Sequence, residues 1–203
     1  MNEFIDMIKG RKSIRTFDGN TLSDEHRTDI EEYMKDISNP FGIPIEFMLL
    51  DATEHELSSP VLSGERLYVA GKVEKKSYAD VAFGYSFEKL ILHAWSLGVG
   101  SVWIGGTMKR KLFEKAVGLK SGEMMPWRIV YKDGAYHFYE KKDRGYNNDE
   151  TGDLQKIDVG IALCHFVLGL EDKGKKAEIK IQDPEIKIPA DVEYIVSVTE
   201  MEV

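Results

Sequence analysis

The chain has 203 residues, enough for one substantial domain with its own apolar core. Its formal net charge of -8 argues against a general nucleic-acid-binding protein, which needs a basic face. The single cysteine, Cys164, excludes an internal disulfide framework and a multi-cysteine metal site. The sequence contains no long apolar run and its N-terminus lacks an apolar signal core, so we expect a cytoplasmic protein without a nucleic-acid or membrane partner.

Up to residue 98 the sequence predicts three helices and one strand. Residues 2 to 9 have the spacing of a short amphipathic helix, and a second helix begins after the capping residue Ser23. Residues 43 to 51, IPIEFMLLD, are typical of a buried strand. Residues 81 to 98, VAFGYSFEKLILHAWSLG, combine a strongly apolar face with a terminal glycine, which predicts a third helix. Within it, Glu88 is assigned a solvated or capping role by default.

From residue 99 onward the sequence continues the alternation of strands and helices. Residues 128 to 140, RIVYKDGAYHFYE, predict a β-hairpin because Asp133-Gly134 is a common two-residue turn. The other predicted elements are a strand over 99 to 106, a short helix over 110 to 118, an apolar helix over 156 to 174, and strands over 177 to 181 and 193 to 200. No linker separates them, so residues 1–203 are predicted to form a single α+β domain.

The two apolar helices share a regular pattern. Three residues of the first match three of the second at a constant offset of 76 positions: Gly84, Leu92 and Gly98 with Gly160, Leu168 and Gly174. Chance matches between apolar helices are common, and a duplication is the other explanation. We predict the duplication, with pseudo-equivalent halves at about 1–107 and 108–203.

The segment GRKSIRTF, residues 10 to 17, gathers three cations around one hydroxyl. Arg11, Lys12 and Arg15 surround Ser13 in an otherwise acidic chain. Such a group is typical of a solvated turn, and it is equally the donor set that binds a phosphate through charge-assisted hydrogen bonds. The residues alone leave both interpretations open.

Other patterns exclude several kinds of chemistry. His93, His137 and His165 lack zinc-ligand spacing, so no metal site is predicted. Cys164 and His165 are adjacent on a helix and point in different directions, which indicates a small buried apolar role for the cysteine. The stretch GVGSVW lacks the third glycine and the strand-to-helix order of a dinucleotide-binding motif. The glycines that end WIGG, residues 103 to 106, suit either a turn or the close approach of a flat ligand.

Taken together, these motifs resemble the flavin-dependent nitroreductase family. RKSIRTF is similar to that family's Arg-x-Ser-x-Arg/Lys motif, and residues 83 to 106 resemble its long central helix and the Gly-x-Gly-x-x-Trp-x-Gly strand that follows. MMPWRIV, residues 124 to 130, resembles the family's Gln-Pro-Trp-Arg-Phe stretch. Residues 158 to 174 resemble a branch in which one chain carries two half-copies. The resemblance spans about residues 3 to 180.

The resemblance implies a three-layer α/β/α sandwich with a mainly antiparallel central sheet, internally duplicated. It implies FMN as the cofactor and NAD(P)H as the co-substrate, with no dedicated catalytic side chain. Arg11, Lys12 and Ser13 would hold the FMN phosphate and ribityl chain. Arg15 would lie near the N1/O2 edge of the ring, where a cation stabilises reduced flavin.

The same resemblance implies that two further segments complete the flavin site. The residues expected to contact the ring through their backbone are Ile104, Gly105 and Gly106. Those expected to close the site from the second half are Gly122, Met124, Met125 and Pro126.

Two departures from the family pattern bear on the flavin. Met124-Met125 replaces a polar pair, and the acidic C-terminal tail lacks the usual phosphate-binding arginine, for which Lys109, Arg110 and Lys111 are candidate substitutes. We expect an FMN-dependent oxidoreductase that reduces nitroaromatics, quinones or related small acceptors. The alternatives are a flavin- or small-ligand-binding protein without redox turnover and an interaction protein that has lost its flavin. The duplication allows a monomer, as a pseudo-dimer, and a homodimer is the other possibility.

Overall fold

The structure is a computed structural model and describes residues 3–104, 127–142 and 152–202. The helices and strands of these ranges follow in chain order: α1 Glu3–Gly10, α2 Asp24–Asp36, β1 Ile45–Asp51, β2 Leu67–Val73, α3 Ala79–Ser96, β3 Trp127–Lys132, β4 Ala135–Lys141, α4 Leu154–Glu171, β5 Lys175–Lys180 and β6 Val192–Glu202. The helix predicted over 110 to 118 and the boundary between halves near residue 107 lie outside the described residues.

All strand pairs in the described part of the chain are antiparallel. β1 and β2 form a two-stranded sheet, in which Ile45 lies opposite Val73 and Asp51 opposite Leu67. The other four strands form a second sheet in the order β3-β4-β6-β5. The predicted α+β class and antiparallel pairing are therefore confirmed for these strands, whereas a single central sheet and a three-layer sandwich are not.

Two local predictions are confirmed by the backbone. Ser23 caps α2, because its hydroxyl accepts a hydrogen bond from the amide of His26 at 3.2 Å. The β3–β4 hairpin turns at Asp133 and Gly134, whose φ angles of 51° and 81° are both positive. A two-residue turn with two positive φ angles matches the twist of the flanking strands, and Asp-Gly tolerates it well.

The strand predicted over 99 to 106 is wrong for the described residues 99 to 104. Only Ser101 forms a β-bridge there, a single parallel one with Ser13. The segment crosses the chain that follows α1, and the amide of Ile14 donates to the carbonyl of Ser101 at 3.0 Å. One crossing contact gives one bridge, so the apolar sequence forms an extended connection without a ladder. β2, conversely, was not predicted.

The centre of the fold is the crossing of α3 and α4. Gly84 lies so close to α4 that an added Cβ would sit 1.9 Å from the carbonyl oxygen of Ile157. Gly160 lies equally close to α3, and its Cβ would sit 2.1 Å from the carbonyl oxygen of Val81. Each glycine and its contact are separated from their counterparts by the same 76 positions. The crossing is therefore symmetric about the two glycines that the sequence pattern paired.

The surroundings of the two helices are also alike. α3 follows the antiparallel pair β1–β2, and α4 follows the antiparallel pair β3–β4. This correspondence agrees with the predicted duplication, which itself stays a prediction. The largest apolar core lies between α3, α4 and the four-stranded sheet, and it includes Val81, Tyr85, Leu92, Phe138, Val159, Leu163, Cys164 and Val196. None of the described helices is both long and apolar enough to span a bilayer.

Candidate functional site

A cavity of about 760 Å³ lies between β2, α3, the chain after α1 and the segment 99 to 104. Its volume falls within the roughly 300–1,000 Å³ of small-molecule sites. Ile14, Thr16 and Phe17 line it from the N-terminal side, and Val102, Trp103 and Ile104 line it from the segment that leaves α3. The cavity therefore borders two of the segments that the sequence motifs singled out.

One side of the cavity is an aromatic wall formed by Phe83, Phe87 and Trp103. The ring centroids of Phe83 and Phe87 are 5.4 Å apart, and those of Phe87 and Trp103 are 4.7 Å apart. The rings are tilted by 37° and 40° to each other, and aromatic rings pack favourably at these distances. The wall therefore offers a largely apolar, aromatic surface to a ligand.

The strand β2 forms another side of the cavity and adds polar groups to it. Tyr68 is buried and donates from its hydroxyl to Glu65 at 2.9 Å. Burial, reinforced by this carboxylate, raises the pKa of Tyr68, so its hydroxyl stays protonated at neutral pH. Arg66 and His26 also line the cavity. The cavity thus pairs an apolar wall with a small polar set.

The basic cluster, Arg11, Lys12, Ser13 and Arg15, flanks the cavity-lining residue Ile14, and none of the four is itself a lining residue. Its chain is held by the bridge from Ser13 to Ser101 and by the carbonyl of Arg15, which accepts from the amide of Ser63 at 3.1 Å. Lys12, Ser13 and Arg15 are exposed, while the neighbouring Ile14 lines the cavity. Three of the four cluster residues therefore present their donors to solvent, next in the chain to residues that line the cavity.

Arg11 differs from the rest of the basic cluster because it faces the protein interior. Its side chain is 19% exposed, and its Nε lies 3.8 Å from Oε1 of Glu88. Its Nη1 is buried and makes no hydrogen bond to any described residue. Arg11 thus has a charged partner and still one unused donor.

Glu88 corrects the default expectation of a solvated or capping role, because it is only 1% exposed. Its Oε2 accepts from the indole Nε1 of Trp103 at 2.7 Å, and its Oε1 lies 2.9 Å from Nε2 of His165. A charge removed from water needs such partners, since an unpaired buried carboxylate is strongly unfavourable. One signal for its burial was present in the sequence: Tyr85, Ile91 and Leu92, three and four positions away on the same helix face, are apolar, and all three are buried.

Two side chains of α4, Asp158 and Cys164, have raised pKa values because they are buried near Glu88. Burial and then the charge of Glu88 raise the pKa of Asp158 to about 7. The same two causes raise the pKa of the Cys164 thiol, so it stays protonated. The buried apolar role predicted for Cys164 is confirmed, since it is free and fully buried.

A second buried carboxylate, Glu140, lies on β4 away from this group. Both of its oxygens are buried and accept no hydrogen bond from a described residue, and the nearest cation, Lys156, has its Nζ at 3.7 Å. Burial, followed by the charge of Asp153, raises the pKa of Glu140 to about 7. Glu140 is therefore a group whose protonation depends on pH near neutrality.

Of the remaining predicted site residues, only Ile104 lies within the described part of the chain. Ile104 lines the cavity as part of the expected ring-contacting segment. The other expected flavin contacts lie outside the described residues: Gly105, Gly106, Gly122, Met124, Met125 and Pro126, with the candidate cations Lys109, Arg110 and Lys111. Among the described residues of the predicted site, Ile104 lines the cavity, and the basic cluster adjoins it in the chain through Ile14 and Thr16.

The histidines behave as expected of structural residues. His93 pairs with Asp29 and stacks on Tyr33, with ring centroids 3.8 Å apart. His137 is buried, and its Nδ1 lies 2.7 Å from the hydroxyl of Ser197. In the part of the chain that the structure describes, no cluster of three His, Cys, Asp or Glu residues is arranged to hold a metal.

The fold places the protein among the nitroreductase-like α+β proteins. It is similar to the crystal structure of a putative nitroreductase from Thermotoga maritima MSB8, with a TM-score of 0.56 at 16% identity over 98% of this chain and 93% of that one. A nitroreductase family protein from Clostridium novyi NT aligns with a TM-score of 0.30 at 15% identity, over 98% of this chain and 85% of that one. The assignment of the fold rests on the similarity to the Thermotoga maritima structure alone.

The sequence family gives the more particular assignment. The model of the family described as "Putative TM nitroreductase" matches residues 3–144, more than half of the chain. The chain belongs to this family, which confirms the resemblance stated from its motifs and makes it an oxidoreductase by family. A search of curated proteins finds no match.

Proposed function

We propose that the protein is an FMN-dependent oxidoreductase that uses NAD(P)H to reduce nitroaromatics, quinones or related small acceptors. The observation that carries the proposal is that the basic cluster flanks Ile14 and Thr16, which line a cavity with an aromatic wall. Lys12, Ser13 and Arg15 offer exposed donors for a phosphate, and the cavity beside them suits a planar ring. Family membership supports the same class of reaction.

The residues fit FMN in charge and in shape. The buried Nη1 of Arg11 makes no hydrogen bond to a described residue, so the cluster has donor capacity in reserve beyond its exposed groups. The phosphate would be held by Lys12 and Ser13, and Arg15 would add positive charge at the ring edge. The cavity wall would exclude water from the ring. When bound, FMN supplies the acceptance and transfer of hydride, and the chain binds and orients it.

The proposal includes the internal duplication. The family's flavin site needs a basic segment and a Pro-Trp loop, and two half-copies in one chain would supply both. The symmetric crossing at Gly84 and Gly160 supports this arrangement, since each glycine meets the equivalent carbonyl of the other helix. The second half has no counterpart of the spacing of residues 11 to 15. A monomer with one FMN per chain follows.

A second function, a flavin- or ligand-binding protein without turnover, is favoured by one observation. Met124-Met125 stands where the family has a polar pair. Such a protein would bind FMN through the same basic cluster and would fail to exchange electrons with NAD(P)H. Both functions therefore predict FMN binding, and only the first predicts reduction.

FMN titration of the apo-protein tests the shared part of both functions. Replacing Arg15 or Lys12 by Ala removes an exposed charge-assisted donor, and we expect the FMN dissociation constant to rise about 10-fold or more. Lys180→Ala is the matched control, because it removes one exposed cation from β5 without touching the cavity. If residues 11 to 15 are only a solvated turn, Arg15→Ala, Lys12→Ala and Lys180→Ala should all bind FMN with the same affinity. That result would reject the phosphate site.

A further inference from the structure

We propose that Glu88 is the positioning residue of the ligand site, holding the basic cluster and the aromatic wall in register through Arg11 and Trp103. The inference rests on the proposed function for the identity of the ligand. Its structural part, that one buried carboxylate fixes both sides of the cavity, rests on described contacts alone. Neither the family match nor the motifs assign Glu88 a role.

The first line of evidence is the burial of Glu88 together with its set of partners. The carboxylate is 1% exposed and sits in the middle of α3, among apolar neighbours. Both oxygens are engaged: Oε2 with the indole of Trp103, Oε1 with His165 and, at 3.8 Å, with Arg11. Keeping a charge in such a place is costly, and a leucine would pack there at lower cost. The contacts that the charge makes are therefore the reason to look for a role.

The second line of evidence is where those partners come from. Arg11 begins the basic cluster, which follows α1, and Trp103 belongs to the segment that leaves α3. In the described residues the backbones of these two segments pair at a single bridge, between Ser13 and Ser101, and the side chain of Ile14 packs beside Gly100. With so little backbone pairing, the shared buried anion adds a charged side-chain link between them. His165 ties the same carboxylate to α4.

The third line of evidence is what Trp103 does once it is held. Its indole donates to Glu88, and its ring packs 4.7 Å from Phe87 as part of the aromatic wall. The next residue, Ile104, lines the cavity and begins the segment expected to contact the flavin ring. Because the indole of Trp103 is held both by Glu88 and by Phe87, Glu88 also restrains the position of Trp103 next to Ile104.

The test is Glu88→Gln, which keeps the shape of the side chain and an acceptor for Trp103 but removes the charge. Asp158→Asn is the matched control: it neutralises another buried carboxyl of the helix pair and has no hydrogen bond to Arg11 or Trp103. In the ligand-free protein, NMR records the three tryptophan indole signals, assigned with Trp103→Phe, and amide exchange at Ile14, whose N–H donates to Ser101. FMN titration then gives the affinity.

We expect Glu88→Gln to shift the Trp103 indole signal, to speed exchange at Ile14 and to weaken FMN binding by about 10-fold, with Asp158→Asn within about 2-fold of the wild type. Unchanged exchange at Ile14 and unchanged FMN affinity in Glu88→Gln would overturn the proposal. If the wild-type protein binds no FMN, the proposed function fails. The indole signal and the exchange rate of the ligand-free protein then still decide whether Glu88 holds both segments.

Discussion

Replacing Gly84 by Ala tests the helix crossing on which the fold and the site depend. The added methyl would lie 1.9 Å from the carbonyl oxygen of Ile157 and 2.7 Å from its carbonyl carbon, about 1 Å inside the shortest approach that real Cβ atoms make. These are backbone atoms and cannot rotate away, so α3 and α4 must separate. Glu88 lies one turn along α3, and its contacts to Trp103 and His165 would be disturbed by that separation.

The expected magnitude follows from two opposing effects. Overpacking costs about 1–3 kcal/mol, and a clash with backbone belongs at the upper end of that range. Alanine in place of glycine in a helix returns about 1 kcal/mol through helix propensity. We therefore expect the free energy of unfolding of Gly84→Ala to fall by about 2 kcal/mol, and Gly160→Ala to behave alike because its clash with Val81 is equivalent.

Urea unfolding followed by circular dichroism measures this change, and α4 supplies its own control. Gly169 lies within α4, and an added Cβ there meets no atom within 4 Å. Gly169→Ala therefore gains propensity without a clash, and its free energy of unfolding should rise by about 0.5–1 kcal/mol. A rise in the free energy of unfolding in both Gly84→Ala and Gly169→Ala would show that the helices do not meet as closely as the structure has them.

Two further predictions concern pH and assembly. The pKa of Glu140 is raised from 4.5 to about 7 by burial, so the folded state holds this proton more tightly than the unfolded state does. Its contribution to the free energy of unfolding is at most about 3 kcal/mol; it is fully present below about pH 4.5 and is lost as pH rises through 7. Glu140→Gln should flatten that decline in urea unfolding measured across this pH range. If stability falls with pH equally in the wild type and the variant, the prediction is wrong. The duplication predicts one FMN per chain in a monomer, and FMN titration with light scattering would contradict this by finding two per chain or a site shared between chains.

Much of the fold was predictable because its signals are local. The cap at Ser23 and the turn at Asp133-Gly134 depend on residues within a few positions, and the structure has both as expected. The apolar helices α3 and α4 were likewise evident from their sequences, and the glycines paired there as a sign of duplication lie at their crossing. The cap, the turn and the helices are each determined by a short stretch of the chain, and a short stretch can be read from the sequence.

The misses arise where distant segments decide the outcome. Residues 99 to 104 look like a strand, but the partner that the fold gives them is a single crossing chain at Ser13. Glu88 looks solvated by residue type, and its burial depends on Trp103 and His165 arriving from elsewhere. Periodicity carries no information on which segments meet in space, so the basic cluster could be recognised while the contacts between Arg11, Glu88 and Trp103 could not.

Anaerobic titration of the FMN-loaded protein with NADH and with NADPH tests the central claim most directly. If the protein is an FMN-dependent oxidoreductase, at least one of them bleaches the visible absorption of the oxidised flavin, and an added quinone or nitroaromatic restores it. Lys180→Ala should bleach like the wild type, and Arg15→Ala should need more FMN to load. A protein that binds FMN tightly and keeps its full visible absorption with both nucleotides would contradict the account and favour a flavin-binding protein without turnover.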